Sequence, residues 1–165
     1  MLRTLRFFGW LILGVVLTTI GVTWWGIANT PVVGPVTGPV VRDFTHLYPV
    51  EVARVVAPTT EAEIVAAVRD SRGPISIGGR RFSMGGQTAT EGALQIDMRG
   101  YDAILQLDTV QKTLRVQAGA TWRQIQKFID RYGLSVKVMQ SYGNFTVGGS
   151  LSVNVHGRYA ELGPI

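Results

Sequence analysis

The 165-residue chain contains no cysteine, only two histidines, and charged residues that make up only 16% of the sequence. Without cysteine it can form no disulfide, no thiolate nucleophile and no cysteine-ligated zinc site, and we predict no metal site. The net charge is +5, but the lysines and arginines are scattered and form no basic run. We therefore predict no nucleic-acid surface. The dinucleotide fingerprint Gly-x-Gly-x-x-Gly does not follow a predicted strand, which disfavours a nicotinamide-binding doubly wound domain.

A long apolar run lies near the N-terminus. From Phe7 to Ala28 the sequence has no charged residue, and about 20 such residues are enough to cross a bilayer as a helix. Arg3 and Arg6 precede the run, and no basic residue follows it until Arg42. The positive-inside rule then places the N-terminus in the cytoplasm and the main domain on the opposite side. We predict a single-pass anchor in contact with membrane lipid; a signal peptide, cleaved after the small residues at 26–28, is the alternative.

Composition divides the chain into three parts: a cytoplasmic tip and anchor at 1–29, a linker at 30–43, and a domain at 44–165. Three Gly/Pro interruptions between Thr30 and Val41 indicate an extended linker that holds the domain away from the membrane. Short β-pairing of Val40 and Val41 is the alternative at the end of this segment.

The domain alternates between strand and helix signals. Val52–Ala57 is a short β-branched run, and Thr60 with Glu63 forms a capping box at the start of a helix whose apolar face we expect to be structural. A second strand begins at Ile75. Later strands are predicted at 94–97, 104–108 and 113–118, and a second helix, capped by Thr121, at 122–132.

The stretch from Ile75 to Gly86 is the first candidate site. A β-branched run breaks into Gly-Gly, a basic turn follows, and a second Gly-Gly ends the stretch. Glycine lets a backbone approach a ligand closely, and consecutive N–H groups in such a turn form a concave anion site. Arg80, Arg81 and Ser83 add side-chain donors that suit a phosphate. A glycine-rich hairpin with two solvated arginines is the alternative.

The segment from Ser141 to Gly157 is the second candidate site. It is dense in Gly, Ser, Thr and Asn, yet apolar residues are interleaved with them. A buried segment with many donors would line a polar ligand, whereas a surface β-hairpin is the alternative. His156 taken alone is more often a structural histidine than a catalytic one.

Together these features resemble the N-terminal FAD-binding domain of PCMH-type flavoproteins, the vanillyl-alcohol-oxidase and p-cresol-methylhydroxylase family. The resemblance covers roughly Val52 to the C-terminus and rests on three pieces in order. The first is the glycine-rich stretch 77–86, which looks like the family's pyrophosphate loop. The second is 116–122, leading into a helix, and the third is Val147-Gly148-Gly149 followed by His156-Gly157. The resemblance implies an α+β fold of mixed β-sheets with packed helices, here preceded by a transmembrane helix.

The resemblance also implies FAD as cofactor, bound without a covalent link. Many members carry a histidine where this chain has Phe82, bonded covalently to the flavin in some of them, and no cysteine is available for the other kind of link. Members are usually far longer, so the domain looks incomplete at its C-terminus. A small-molecule substrate would bind in the missing part, and no catalytic residue can be named from this chain.

The implied activity is oxidation of an alcohol, sugar lactone or hydroxy acid by hydride transfer to FAD. A truncated, non-catalytic flavin-fold module tethered to the membrane is the alternative. By resemblance, two glycine-rich segments contact FAD, and Gly149 is expected to need a positive φ. The implied FAD-binding residues are Gly79, Arg80, Arg81, Phe82, Ser83, Ser141, Thr146, Gly148, Gly149, Ser152, His156 and Gly157.

Overall fold

The computed structural model describes residues 2–28 and 39–165, without the side chains of residues 2–7, 27 and 160. The chain divides into two compact units, Met1–Pro35 and Val36–Ile165. Residues 30–38 of the predicted linker lie outside the described residues.

The first unit contains helix α1, Leu2–Ala28. Its stretch Phe8–Gly26 has a mean hydropathy of 1.7, so its length and composition would suit a membrane span and equally a signal sequence. The hydroxyls of Thr18, Thr19 and Thr23 each donate to the carbonyl four residues earlier. The polar groups of these threonines are therefore satisfied within the helix, as an apolar surrounding requires.

The second unit is built on a three-stranded parallel sheet. Strands β3 (Arg54–Val56) and β4 (Ile75–Gly78) pair with either side of β5 (Leu94–Asp97), in the order β3-β5-β4. Every residue of β5 is buried, as expected of a central strand. Strands β1 (Val40–Val41) and β2 (Val50–Glu51) form a separate antiparallel pair, which confirms the pairing alternative for the end of the linker. Strand β3 is shorter than the predicted Val52–Ala57.

Helix α2 (Glu61–Asp70) connects β3 to β4, and its predicted capping box is present. Thr60 accepts from the Glu63 amide, and the Glu63 carboxylate accepts from the Thr60 amide at 3.2 Å. Of its predicted apolar face, Ile64 and Ala67 are half-buried, and no residue of α2 is fully buried, so a structural role for this face stays a prediction. Val65 and Val68 lie exposed, as does Ile77 on β4, whose exposed fraction is 62%.

We expect a protein that lacks residues 1–29 to be poorly stable without FAD. Exposed valines on α2 and an open edge at β4 leave apolar surface and strand hydrogen-bonding groups uncovered. Thermal unfolding followed by circular dichroism should show a broad transition of low midpoint. A sharp, cooperative transition of a monomer, without added FAD, would contradict this expectation.

The second half of the unit packs around helix α3 (Trp122–Ile129). Strands β6 (Ile104–Asp108) and β7 (Thr113–Val116) form the predicted hairpin. Thr121 caps α3, and the predicted box with Gln124 is present. A turn of 3-10 helix, Asp130–Tyr132, follows α3 and ends at Gly133, which has a φ of 65°. The buried face of α3 packs against apolar residues of the hairpin and of the following segment: Leu107, Leu114, Val116, Phe145 and Val147.

The segment 141–157 is not a β-hairpin. It contains a short helix, α4 (Val147–Ser152), whose N-cap is Thr146. The helix is held by distant contacts, because the buried hydroxyl of Ser150 accepts from the Trp122 indole at 2.9 Å and from the Gln140 amide at 2.9 Å.

Candidate functional site

The three glycine-containing pieces of the sequence meet in the structure. The segment before α3 pairs with the segment that enters α4, because Val147 N donates to the Ala120 carbonyl at 2.8 Å and Gly148 N to the Ala118 carbonyl at 2.9 Å. The loop after β4 touches the same place at Gly79, which lies against the side chain of Thr146. The loop 79–86, called the glycine loop below, is therefore joined to the start of α4.

All four predicted glycines lie where an added Cβ would come closer than 3.0 Å to a neighbouring atom, and two of them, Gly79 and Gly148, join the segments of the site. A Cβ at Gly79 would overlap the hydroxyl of Thr146, and a Cβ at Gly148 would lie 2.9 Å from the Cβ of Ala118. Real side chains do not approach so closely, so these contacts exist only because both positions are glycine. Gly149 differs from its prediction. It lies exposed on α4 and its φ is not positive, so the expected conformational need for glycine there is wrong.

Aromatic contacts also join the glycine loop to the second segment. The Phe82 ring lies 4.9 Å from that of Phe145 and 5.2 Å from that of Tyr142, measured between centroids. Phe44, which precedes the loop in the sequence, also contacts Phe82, and the two ring centroids lie 5.2 Å apart. Phe82, which the family resemblance places where many members carry a histidine, packs here within an aromatic group.

The glycine loop presents a row of free donors. Within the described part of the chain, the backbone N–H groups of residues 79–84 donate to no other group. None of these six residues is buried. The amides at the start of α4 are different, because Val147, Gly148, Gly149 and Ser150 all donate to groups of the chain itself. An anion at this place would therefore find its backbone donors in the glycine loop rather than at α4.

The two arginines of the loop point to different surroundings. Arg80 is exposed and makes no ion pair or hydrogen bond with any described residue. Arg81 donates through Nη2 to the Asp97 carboxylate at 2.9 Å, and its backbone is left-handed, with a φ of 58°. Arg80 rather than Arg81 is thus free to meet a phosphate. To donate to a phosphate, the Arg81 guanidinium would have to do so while paired with Asp97 or would have to break this ion pair, so phosphate contact by Arg81 stays a prediction.

Asp97 lies at the end of β5, with 4% of its surface exposed, between Arg81 and Arg99. Burial alone would raise the pKa of Asp97, but hydrogen bonds from Arg99 and the charges of both arginines bring it below its ordinary value. Burial lowers the pKa of Arg81 in turn, while the charge of Asp97 opposes that shift. Asp97 is therefore an ionised carboxylate that holds the side chains of both Arg81 and Arg99.

Asp97 was not identified as a site residue from the sequence, although its position in the sequence indicates such a role. The carboxyl ends of parallel strands meet at one edge of a sheet, and Asp97 ends β5 where Gly78 ends β4. A charged residue at that position was a candidate partner for the loop arginines.

The remaining predicted residues make contacts within the C-terminal segment of the chain. Ser141 Oγ accepts from Arg158 Nε at 2.9 Å, and Ser152 Oγ donates to the Gly148 carbonyl at 2.7 Å. His156 is exposed, with Nδ1 3.1 Å from the Gly157 carbonyl oxygen. Gly157 packs against the backbone of Met139. The structure thus joins Gly79, Phe82, Thr146 and Gly148 in one place, and cofactor contact by the others stays a prediction.

Comparison with known protein families shows which family the chain belongs to. The family described as the FAD binding domain matches residues 52–163. The chain belongs to this family. The resemblance to PCMH-type flavoproteins is confirmed, and FAD is the cofactor that the family binds. The free amides of the glycine loop, with Arg80 and Ser83 beside them, suit the negatively charged pyrophosphate of FAD.

The relatives are much longer than this chain. The mitochondrial L-galactono-1,4-lactone dehydrogenase of Brassica oleracea is 34% identical over 70 residues, which cover 42% of this chain and 12% of that protein. Decaprenylphosphoryl-beta-D-ribose oxidase of Mycolicibacterium smegmatis is 31% identical over 109 residues, 62% of this chain and 24% of that protein. The match thus spans at most about a quarter of either relative.

The fold is shared with a solved oxidase structure. The crystal structure of cholesterol oxidase from Brevibacterium sterolicum superposes with a TM-score of 0.59 at 19% identity, covering 78% of this chain and 27% of that one. The mixed helix and sheet architecture is therefore that of an FAD-binding fold. Phe8–Gly26 remains the one candidate span among the described residues.

Proposed function

We propose that the chain is the FAD-binding portion of a membrane-anchored flavin-dependent oxidoreductase, which oxidises an alcohol, sugar lactone or hydroxy acid. The observation that carries this proposal is the row of free amides at residues 79–84, which begins at Gly79 where the loop contacts Thr146 at the start of α4. Relatives named as a lactone dehydrogenase and a ribose oxidase support a sugar or sugar-lactone substrate. The small-molecule substrate would bind mainly outside this chain.

In this proposal the glycine loop binds the FAD pyrophosphate. The loop amides and the Ser83 hydroxyl donate to phosphate oxygens, and the Arg80 guanidinium neutralises their charge. The Asp97 carboxylate holds the side chain of Arg81 and so supports the shape of the loop. Once bound, the flavin ring supplies the acceptor for a hydride from the substrate carbon.

FAD should be bound without a covalent bond. Phe82 has no nucleophilic atom, and the chain has no cysteine. After acid precipitation of the FAD-loaded protein, the flavin absorbance should appear entirely in the supernatant. Yellow colour retained in the washed, denatured pellet would contradict this prediction.

We expect Arg80→Ala to weaken FAD binding by about tenfold or more, because one charge-assisted hydrogen bond is worth roughly 1.5–3 kcal/mol. Its thermal stability should be unchanged, since Arg80 has no partner among the described residues. Arg81→Ala is the matched control. It leaves Asp97 buried and short of one partner, so it should lower the midpoint of unfolding. Flavin fluorescence titrations and thermal melts of both variants test the assignment, and it fails if Arg80→Ala binds FAD like the wild type.

The alternative is a non-catalytic flavin-fold module tethered to the membrane. The exposed apolar residues of α2 and β4 favour it, because they indicate a domain that lacks part of its cover. Titration of the folded chain with FAD separates the two ideas. Saturable binding supports the enzyme portion, whereas no binding by a folded chain supports the module. A downstream reading frame of several hundred codons would also favour the enzyme.

A further inference from the structure

Asp43 lies before the region that matches the FAD binding domain family, yet it contacts the glycine loop. Only 4% of its surface is exposed. Its Oδ2 accepts a hydrogen bond from the backbone N–H of Gly86 at 3.0 Å. Its Oδ1 accepts from Thr45 N at 3.0 Å, Thr45 Oγ1 at 2.7 Å and His46 N at 3.1 Å. One carboxylate thus closes a turn of its own segment and reaches the end of the loop.

A second contact joins the same segment to the middle of the loop. Phe44 N donates to the Arg81 carbonyl at 2.8 Å, and the Phe44 ring packs on Phe82. The two points that are held, Arg81 and Gly86, are the two positions of the loop with a positive φ, 58° and 74°. The residues before β2 therefore fix both backbone positions at which the loop changes direction.

The glycine loop needs such support because it has few internal hydrogen bonds to fix its conformation. Residues 79–84 make no backbone N–H hydrogen bond to any described group, so no internal ladder or turn defines their conformation. A loop that keeps its amides free for a ligand must be held from outside, since preorganised donors bind an anion at lower conformational cost. Asp43 and Phe44 provide this external hold.

We propose that Asp43 is a positioning residue for the FAD phosphate site, acting through Gly86 and the glycine loop. This inference rests on the proposed function. The carboxylate form is required, because Oδ2 must accept from Gly86 while Oδ1 accepts three other bonds. The Thr45 hydroxyl, together with the Gly86, Thr45 and His46 amides, holds the pKa of Asp43 below its ordinary value despite burial. Because these donors offset its charge, the carboxylate can lie near a bound pyrophosphate.

Two matched variants separate the loop contact from the local turn. Asp43→Asn keeps one oxygen for the turn but places an amide NH₂ opposite the Gly86 N–H, so that the loop contact is lost. Thr45→Val removes a bond to the other oxygen and leaves the Gly86 contact in place. Both are made in the full chain, and hydrogen exchange is followed first without FAD.

We expect exchange of the Gly86 amide, which donates to Asp43 in the free chain, to be about tenfold faster in Asp43→Asn than in the wild type, and within threefold of it in Thr45→Val. FAD affinity should fall about tenfold in Asp43→Asn only, the size expected of one charge-assisted hydrogen bond. Exchange at the central strand 94–97 should not change. Faster exchange there too, equal Gly86 exchange in the two variants, or unchanged FAD affinity in Asp43→Asn would each overturn the proposal. If the folded wild-type chain binds no FAD, the proposed function fails, while exchange without FAD still tests the contact.

Discussion

Gly79→Ala is expected to cause a large loss of FAD affinity. A Cβ there would overlap the Thr146 hydroxyl and lie 3.1 Å from the Thr146 methyl carbon. The loop and the start of α4 would have to separate, and overpacking of this kind costs about 1–3 kcal/mol in stability. Because the same separation displaces the row of free amides, we expect the affinity for FAD to fall by a hundredfold or more, corresponding to roughly 2.7 kcal/mol.

The matched control is Gly73→Ala, since a Cβ at Gly73 meets no atom within 4 Å and its φ is not positive. This variant should bind FAD like the wild type. A double variant, Gly79→Ala with Thr146→Ala, removes the overlapping hydroxyl and methyl and should recover part of the lost affinity. Flavin fluorescence titration measures all three. Wild-type affinity in a folded Gly79→Ala protein would contradict the placement of the site.

The double substitution Val16→Arg, Leu17→Arg is expected to remove the protein from membranes. Both residues lie within the apolar stretch of α1. A charge at the bilayer centre costs about 2.5–3.5 kcal/mol per residue on insertion scales, so two together exceed what a single short span can sustain. After carbonate extraction, the wild type should remain in the pellet and the double variant should not.

The double substitution Val65→Arg, Val68→Arg is the control for added charge, because both valines are exposed on α2. That variant should stay in the membrane fraction. Mass spectrometry of the mature N-terminus distinguishes an anchor from a signal peptide, since cleavage near Ala28 would release the domain. Unchanged membrane retention of the Val16→Arg, Leu17→Arg variant would contradict the anchor.

Local signals predicted the regular elements well. The two capping boxes are present because threonine and a residue three positions later satisfy helix amides whatever the surroundings. The strand positions and the β6–β7 hairpin follow from short apolar runs between turn residues, whereas the parallel pairing of β3, β4 and β5 was not predicted. The meeting of the two glycine-rich segments was expected only from the family resemblance, and the contact of Gly79 with Thr146 now accounts for it.

Long-range contacts explain what the sequence did not show. Helix α4 has a weak helical sequence, and it forms because Ser150 bonds to Trp122 and because the Ala118 and Ala120 carbonyls take its first amides. Arg80 and Arg81 look alike in the sequence, but only a carboxylate sixteen residues away, Asp97, determines which one turns inward.

Hydrogen exchange at residues 79–84, with and without FAD, tests the central claim most directly. The amides there have no partner in the described chain, so they should exchange quickly in the free protein and slowly once FAD is bound. The amides of 147–150, which already have partners, should change less. FAD binding that leaves exchange at 79–84 unchanged would contradict the account.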